Sequence, residues 1–323
     1  MTVDSLRTEL PHISVVICTR NRPATIGHAV RSVLQGDYPK FDVVVVDQST
    51  SEETARHIAV LERADERLQY LHDCRPGAAR ARNLGIKATA GEIIAFTDDD
   101  CVVPITWLSN IAKVFTDDLA IDLLYGQVLP PRLPTIEGGV TPALRLTHVE
   151  RYAQGNLLRG GWAIFGGMSA NFAARRRVFE QIGLFDEMLG VGAPLLSGED
   201  FDLTYRALRA GCVIVRHPEV CVVHEFGTRS LDTWAATTHY YGMGDGAFYW
   251  KHVRCRDPFM FWLVVRRVAE FGLKEAAKRY VLHRAASFAY VRGLLEGIVK
   301  STRFPVDRSA RLYEPLSPGT IEN

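Results

Sequence analysis

The sequence predicts an α/β fold: a mainly parallel sheet with helices on both faces, followed by a helical carboxyl-terminal appendage. Three observations carry this. Short β-branched runs, apolar throughout, alternate with stretches of helical periodicity along the first part of the chain. One of these runs, Ile93 to Phe96, leads straight into the triplet Asp98-Asp99-Asp100, at the kind of strand end where open α/β sheets bind ligands. From about Thr233 onward the chain turns into basic, aromatic-rich helical sequence.

Taken in order, Ile13 to Cys18 and Val43 to Val46 read as strands buried on both faces. Between them Ile26, Ala29, Val30, Val33 and Leu34 recur at helical spacing, with Pro23 in the first turn, and this completes a βαβ unit. A helix near Glu52 to Arg63, a strand at Leu68 to Leu71, a helix near Ala78 to Ala88 and the strand Ile93 to Phe96 continue the alternation. Pro130, Pro131, Pro134, Gly138 and Gly139 make 129–140 a loop, near a site or joining two halves. Gly166 to Phe172 reads as a small-residue strand followed by a helix from about Arg175, and Phe201 to Leu208 is again helical. The domain division expected is 1–232 catalytic and 233–323 appended.

Three carboxylates at one strand end repel one another, and a divalent cation with a phosphate behind it relieves that repulsion. A solvated turn is the plainer reading. A calcium loop of the EF-hand type needs Gly at its sixth position and an acid at its twelfth, where Val103 and Ser109 stand, so it is excluded.

Composition narrows the function classes. A chain of 323 residues with 47% hydrophobic content buries a full core, and a net charge of +1 gives no case for nucleic acid. Lys251 to Arg311 holds fourteen Lys or Arg against five Asp or Glu, a local +9 that leaves the rest at −8. Aromatics from Trp250 to Tyr290 are interleaved with this charge, so the tail fits an anionic membrane surface or packing against the catalytic part or a second subunit, as in a homodimer. The longest apolar run there, Phe259 to Val265, is far short of the roughly 20 residues of a membrane span. Six cysteines without paired spacing exclude zinc knuckles and a disulfide framework. Met1 to Leu10 has no apolar core behind a basic start, so a cytoplasmic location is expected, with the tail resting peripherally on the inner membrane face.

The ordered set Val15-Val-Ile-Cys-Thr-Arg-Asn-Arg-Pro23, a strand ending in Asp47, Ala81-Arg82-Asn83-Leu84-Gly85, Asp98 to Asp100 and Gly198-Glu199-Asp200 resembles the family 2 glycosyltransferases over roughly residues 12 to 225. That resemblance implies a GT-A fold and an inverting enzyme. Its donor would be a UDP-, dTDP- or GDP-sugar and its acceptor a carbohydrate or lipid-linked hydroxyl, in polysaccharide, glycolipid or other glycoconjugate synthesis. It implies that Asp47 accepts hydrogen bonds from the nucleobase and that Thr19, Arg20 and Arg82 line the nucleotide pocket. Asp98 then lies near the ribose, with Asp99 beside it. Asp100 binds Mg²⁺ or Mn²⁺ as the last acid of an Asp-x-Asp motif, and in some members a His at the place of His224 joins it. Asp200 becomes the base, and Glu199 orients the acceptor or the base.

Each residue also has a plainer structural role. Asp47 can cap the next helix, and Arg82 can be a solvated helix residue. Glu199 and Asp200 can stabilise a helix dipole, while His224, beside the apolar run Val220 to Val223, can simply pack. The segment 225–230, with Gly227 and Arg229, is expected to be mobile near the donor phosphates. Two other classes stay open. A sugar-nucleotide pyrophosphorylase would carry a Gly-rich loop after the first strand, where this chain has Cys18-Thr-Arg-Asn-Arg-Pro23, and a non-catalytic nucleotide-sugar binder would not need the Glu199-Asp200 pair.

Overall fold

The computed structural model describes residues 9–133, 136–156, 165–277 and 281–315; the side chains of 267–268 and 270–287, the middle of the basic tail, lie outside the described residues, as does Pro134. Strands β1 (Ile13–Thr19), β2 (Phe41–Asp47), β3 (Leu68–His72) and β4 (Ile93–Asp98) alternate with helices α1 (Pro23–Leu34), α2 (Glu53–Glu62) and α3 (Ala78–Ala88), as the periodicity predicts. Two elements beyond those predicted follow, α4 (Trp107–Asp117) and β5 (Ile121–Leu129). Next come β6 (Glu150–Tyr152), β7 (Asn171–Arg175), α5 (Arg176–Ile182), α6 (Glu199–Arg209) and β8 (Val213–Val223). Helices α7 (Leu231–Arg254), α8 (Pro258–Ala277) and α9 (Val281–Ser301) and a hairpin of β9 (Val306–Asp307) and β10 (Leu312–Tyr313) follow as the last elements among the described residues.

Among the described residues the main sheet has eight strands in the order β3-β2-β1-β4-β7-β5-β8-β6. β1, β2, β3 and β4 are mutually parallel, β5 and β8 form a second parallel pair, and β7 joins the two groups antiparallel to both neighbours. The predicted strand at Gly166 to Phe172 starts only at Asn171. Gly167 instead lies flat against the Tyr125 ring, where a side chain would collide, so the backbone before Asn171 is shaped by that contact rather than by strand pairing. β8 shifts register against β5 between Gly126 and Gln127, at His217-Pro218-Glu219. Pro218 has no amide to give the ladder, and Gln127 Nε2 donates to its carbonyl at 2.6 Å.

Side-chain alternation sorts the core into two layers. Ile13, Val15 and Ile17 point to the face covered by α1 and α4, where Trp107, Leu108, Ile111 and Phe115 are buried. Val16, Ile94 and Phe96 point to the other face and pack with α3, α5, α6 and the carboxyl-terminal helices through residues such as Phe248, Met260 and Leu294. Helices α7 and α9 touch backbone to backbone: Gly242 and Gly246 lie against the carbonyls of Tyr290 and Leu294, and Gly293 and Gly297 against those of His239 and Met243. No helix among the described residues is long and apolar enough to cross a membrane.

A second set of contacts holds α6 from below. Lys251 Nζ lies 2.6 Å from both Asp186 and Asp202, all three fully buried, and His252 Nε2 is 2.9 Å from Asp202. The amide of Tyr313, in the final hairpin, donates to the same Asp186 at 2.9 Å. Asp202 is held far below the usual carboxylate range: burial opposes its charge, and Lys251, Arg206 and His252 overcome that opposition.

Candidate active site

The carboxyl ends of β1 and β4, the start of α3, the start of α6 and one side of α7 enclose a cavity of about 690 Å³. Thr19, Arg20, Arg82, Asp98, Asp99 and Asp100 line it, as do Glu199, Asp200 and His224. One predicted residue stands apart. Asp47 is wholly buried behind the cavity, accepting from the Ser49 amide at 2.8 Å and the Tyr70 hydroxyl at 2.9 Å, while the next residue, Gln48, reaches the lining.

The triplet is split by its partners. Thr19 Oγ1 donates to Asp99 Oδ2 at 2.6 Å, and Arg22 Nη1 lies 2.8 Å from both Asp99 Oδ1 and Asp100 Oδ2. Burial nevertheless pushes the Asp99 carboxyl up to about 6, against the pull of Arg22 and Thr19. Asp100 behaves differently. Burial acts to raise it, but the hydrogen bond and charge of His224, together with Arg22, bring it below the ordinary carboxylate value. Asp98 faces Arg82, whose Nη2 is 3.6 Å from Asp98 Oδ1.

His224 is placed by the backbone. Its Nδ1 lies 3.0 Å from the Pro142 carbonyl, which only accepts, so Nδ1 carries the proton and Nε2 is turned toward Asp100 Oδ1 at 3.2 Å. Burial lowers the His224 pKa, but the Asp100 bond and charge outweigh it and the net shift is upward. Asp100, Cys101 and His224 each bring one ligand atom within 4.8 Å of the others. The Cys101 thiol is raised well above its usual value by burial, which leaves the Asp100 carboxylate and, once deprotonated, the His224 imidazole as the donors of this group. A carboxylate plus a backbone-oriented imidazole suits a divalent cation such as Mg²⁺ or Mn²⁺.

Across the cavity, α6 begins at Glu199 because Gly198 takes a left-handed φ of 89°, and Glu199, Asp200 and Asp202 fill its first turn, where the helix dipole favours negative charge. Arg82 Nη1 donates to Glu199 Oε1 at 2.8 Å and Nη2 to Ser169 Oγ at 3.0 Å. Among the described residues no cation is paired directly with Asp200. Burial first, then the charge of Glu199, push its carboxyl up to about 7, with Arg82 pulling the other way.

Sequence reasoning missed Arg22, Ser169 and the aromatic side of the cavity, Trp234 and Tyr241 on α7 and Tyr290 on α9. Arg22 and Pro23 together carry a signal: a cation directly before a helix that opens at a strand end. The aromatics carry none, because helical periodicity does not say which face of α7 meets the cleft. The segment 225–230, read as mobile, is tied here by bridges between Val140 and Arg229 and by the Phe226 amide donating to the Asp100 carbonyl at 3.1 Å.

A large mixed sheet flanked by helices, with acidic groups gathered at the strand ends, is the GT-A architecture of glycosyltransferases. Two solved structures share it: residues 1–349 of Staphylococcus aureus TarS (TM-score 0.59, 17% identity, 90% of this chain and 83% of that one) and the mannosyltransferase PcManGT from Pyrobaculum calidifontis in complex with GDP-Man and Mn²⁺ (TM-score 0.57, 17% identity, 94% and 86%). The family model for glycosyl transferase family 2 matches residues 14–183, more than half of the chain, and the protein therefore belongs to that family. Glycosyltransferase AglE from Haloferax volcanii is 29% identical over 212 residues, covering 64% of each chain. The chain thus spans less than two thirds of the length of this curated relative.

Proposed function

We propose that this enzyme is a divalent-cation-dependent, inverting glycosyltransferase that moves a sugar from a nucleoside-diphosphate sugar to an acceptor hydroxyl. One observation supports the reading above the rest: a carboxylate and imidazole in contact, Asp100 and His224, and a carboxylate poised near neutrality, Asp200, line the same cavity. The nucleotide side comprises Thr19, Arg20, Arg82, Asp98 and Asp99, with Asp47 buried behind it and the next residue, Gln48, on the lining. Asp100 and His224 would hold Mg²⁺ or Mn²⁺, which when bound offsets the diphosphate charge as a Lewis acid.

In the transfer the acceptor oxygen bonds to the sugar's anomeric carbon, whose bond to the diphosphate oxygen breaks with its electron pair leaving on the nucleotide. Asp200 accepts the acceptor's proton. With its pKa at about 7 it is ionised often enough to be a base and basic enough to hold the proton once taken. Glu199, fixed by Arg82, keeps the first turn of α6 oriented. The basic tail from residue 233 to 323 both closes the cleft through α7 and offers an outer surface. Phe261, Trp262 and Val265 on α8 and Phe288, Leu295 and Val299 on α9 are exposed, and Arg266 lies 5.3 Å over the Trp262 ring. That mixture supports peripheral attachment to an anionic membrane on the cytoplasmic face, with a lipid-linked acceptor.

A thermal-shift panel of UDP-, dTDP- and GDP-sugars, each with and without Mn²⁺, tests the reading. A cation-dependent rise in melting temperature with one base is expected, growing with occupancy. No rise with any nucleotide would overturn it.

A further inference from the structure

A large part of the cavity wall comes from residues beyond the 14–183 stretch matched by the family model. Arg229, just before α7, and Trp234 and Tyr241 on it line the cavity together with Asp200. The helix is fixed against the acid pair. Ser197 Oγ lies 3.1 Å from the Tyr240 carbonyl and 3.4 Å from that of Tyr241, and a Cβ on Gly198 would sit 3.2 Å from the Gly244 carbonyl. Ser197 and Gly198 directly precede Glu199 and Asp200, so the Tyr241 ring and the proposed base are held in one register. The charges of Arg229, Asp200 and Glu199 all reach the Tyr241 hydroxyl, which burial raises.

Trp234 and Tyr241 meet edge to face, with ring centroids 6.3 Å apart at 80°. They are not sealed into the core: Trp234 is half-buried and Tyr241 is 38% exposed. Partly open aromatic faces beside a carboxylate match one ligand chemistry well. A pyranose ring has one face of C–H bonds, which an aromatic ring covers while excluding water, and a rim of hydroxyls for polar partners.

We propose that Trp234 and Tyr241 form a stacking platform for a pyranose ring of the acceptor, whose reacting hydroxyl is turned toward Asp200. The proposal rests on the glycosyltransferase reading above, and its test separates the two. Saturation-transfer NMR on the full chain, with UDP or GDP and Mn²⁺ present, would use the methyl glycopyranosides of glucose, galactose, mannose and N-acetylglucosamine as probes. At least one is expected to receive saturation, strongest on the ring protons of one face.

Trp234→Ala and Tyr241→Ala should each weaken that probe's binding by about threefold to tenfold. Trp234→Phe and Tyr241→Phe, which keep a ring, should restore most of it. The nucleotide-dependent thermal shift should be unchanged in all four variants. No saturation of any methyl pyranoside by the wild-type protein, or alanine variants that bind as well as wild type, would sink the platform while the nucleotide response stands. An absent nucleotide response in the wild type would sink the functional reading itself. If an alanine variant loses the nucleotide shift as well, the phenylalanine variants decide: weak pyranoside binding with an intact nucleotide shift would also overturn the stacking role.

Discussion

Arg82 and Glu199, 117 residues apart in the chain, are joined by a 2.8 Å hydrogen bond between two buried side chains. The same guanidinium faces Asp98 at 3.6 Å, so one cation spans the acids at the end of β4 and those at the start of α6. Arg82→Met would leave Glu199 and Asp98 without that cation. Breaking a buried pair from one side costs about 3–5 kcal/mol, and urea unfolding should record a loss in that range. A variant as stable as wild type would show that Arg82 bridges nothing of consequence.

Asp200→Asn should keep donor binding and lose turnover, because an amide cannot take the acceptor's proton. Wild-type turnover should rise with pH through about 7, as Asp200 ionises, and this limb should vanish in the variant. Stability follows the opposite sign. A carboxyl held protonated in the fold but ionised when unfolded costs stability as pH climbs above its unfolded value near 3.8. The variant should therefore melt higher than wild type at pH 8, with the gap closing toward pH 4.

Asp100→Asn removes the ionised ligand of the proposed cation site and should lower Mn²⁺-dependent turnover about a hundredfold or more. His224→Ala should weaken Mn²⁺ binding, measured by calorimetry, with little change in the melting temperature of the cation-free protein. In the wild type, Mn²⁺ affinity should fall as pH drops through the His224 titration, which lies above the usual 6.5, since the imidazolium cannot coordinate. A packed but non-coordinating histidine would reverse the pattern, leaving Mn²⁺ affinity intact and lowering cation-free stability.

The residues around these acids show what a sequence conveys and what it conceals. β1, β2 and β4 are legible because both faces are buried, which forces unbroken runs such as Val43 to Val46. Gly198-Glu199-Asp200 is legible because helix starts have their own chemistry. The local signal at Arg22 and Pro23 marks a cation at a strand end but not its two aspartates nearly eighty residues away, and Tyr241 on the cleft has no local signal at all; both depend on how elements pack. Asp47 illustrates the reverse: its strand-end position is plain in sequence, but its engagement by Ser49 and Tyr70 emerges only in the fold.

Lys251→Met should destabilise the protein by about 3–5 kcal/mol, because Asp186 and Asp202 would stay buried without their shared cation. Asp202 is depressed in the fold, so its contribution is present above the unfolded carboxylate value and lost as pH falls below it. The difference between wild type and variant should accordingly narrow in acid. A constant difference from pH 7 to pH 3 would mean that Lys251 contributes through packing.

The outer faces of α8 and α9 predict binding to vesicles rich in phosphatidylserine and weak binding to neutral phosphatidylcholine, with salt reducing the former, as charges are screened within about 8 Å at physiological ionic strength. Exchanging Phe261 and Trp262 for serine should release the protein from the anionic vesicles in a flotation assay. Equal binding to both vesicle types would remove the electrostatic part of this attachment.

The four glycines between α7 and α9 make the thickness of two backbones, rather than side-chain volume, the spacer behind one wall of the cleft. Side chains elsewhere on both helices can drift without changing that separation, which insulates the wall from substitutions that would remodel an ordinary helix pair. The constraint moves into register. A single residue inserted between Gly242 and Gly246 would turn one half of α7 by about 100° against the other, so that Tyr241 and Gly246 could not both keep their present neighbours. At their exposed positions these helices should therefore accept exchanges far more readily than insertions or deletions between the glycines.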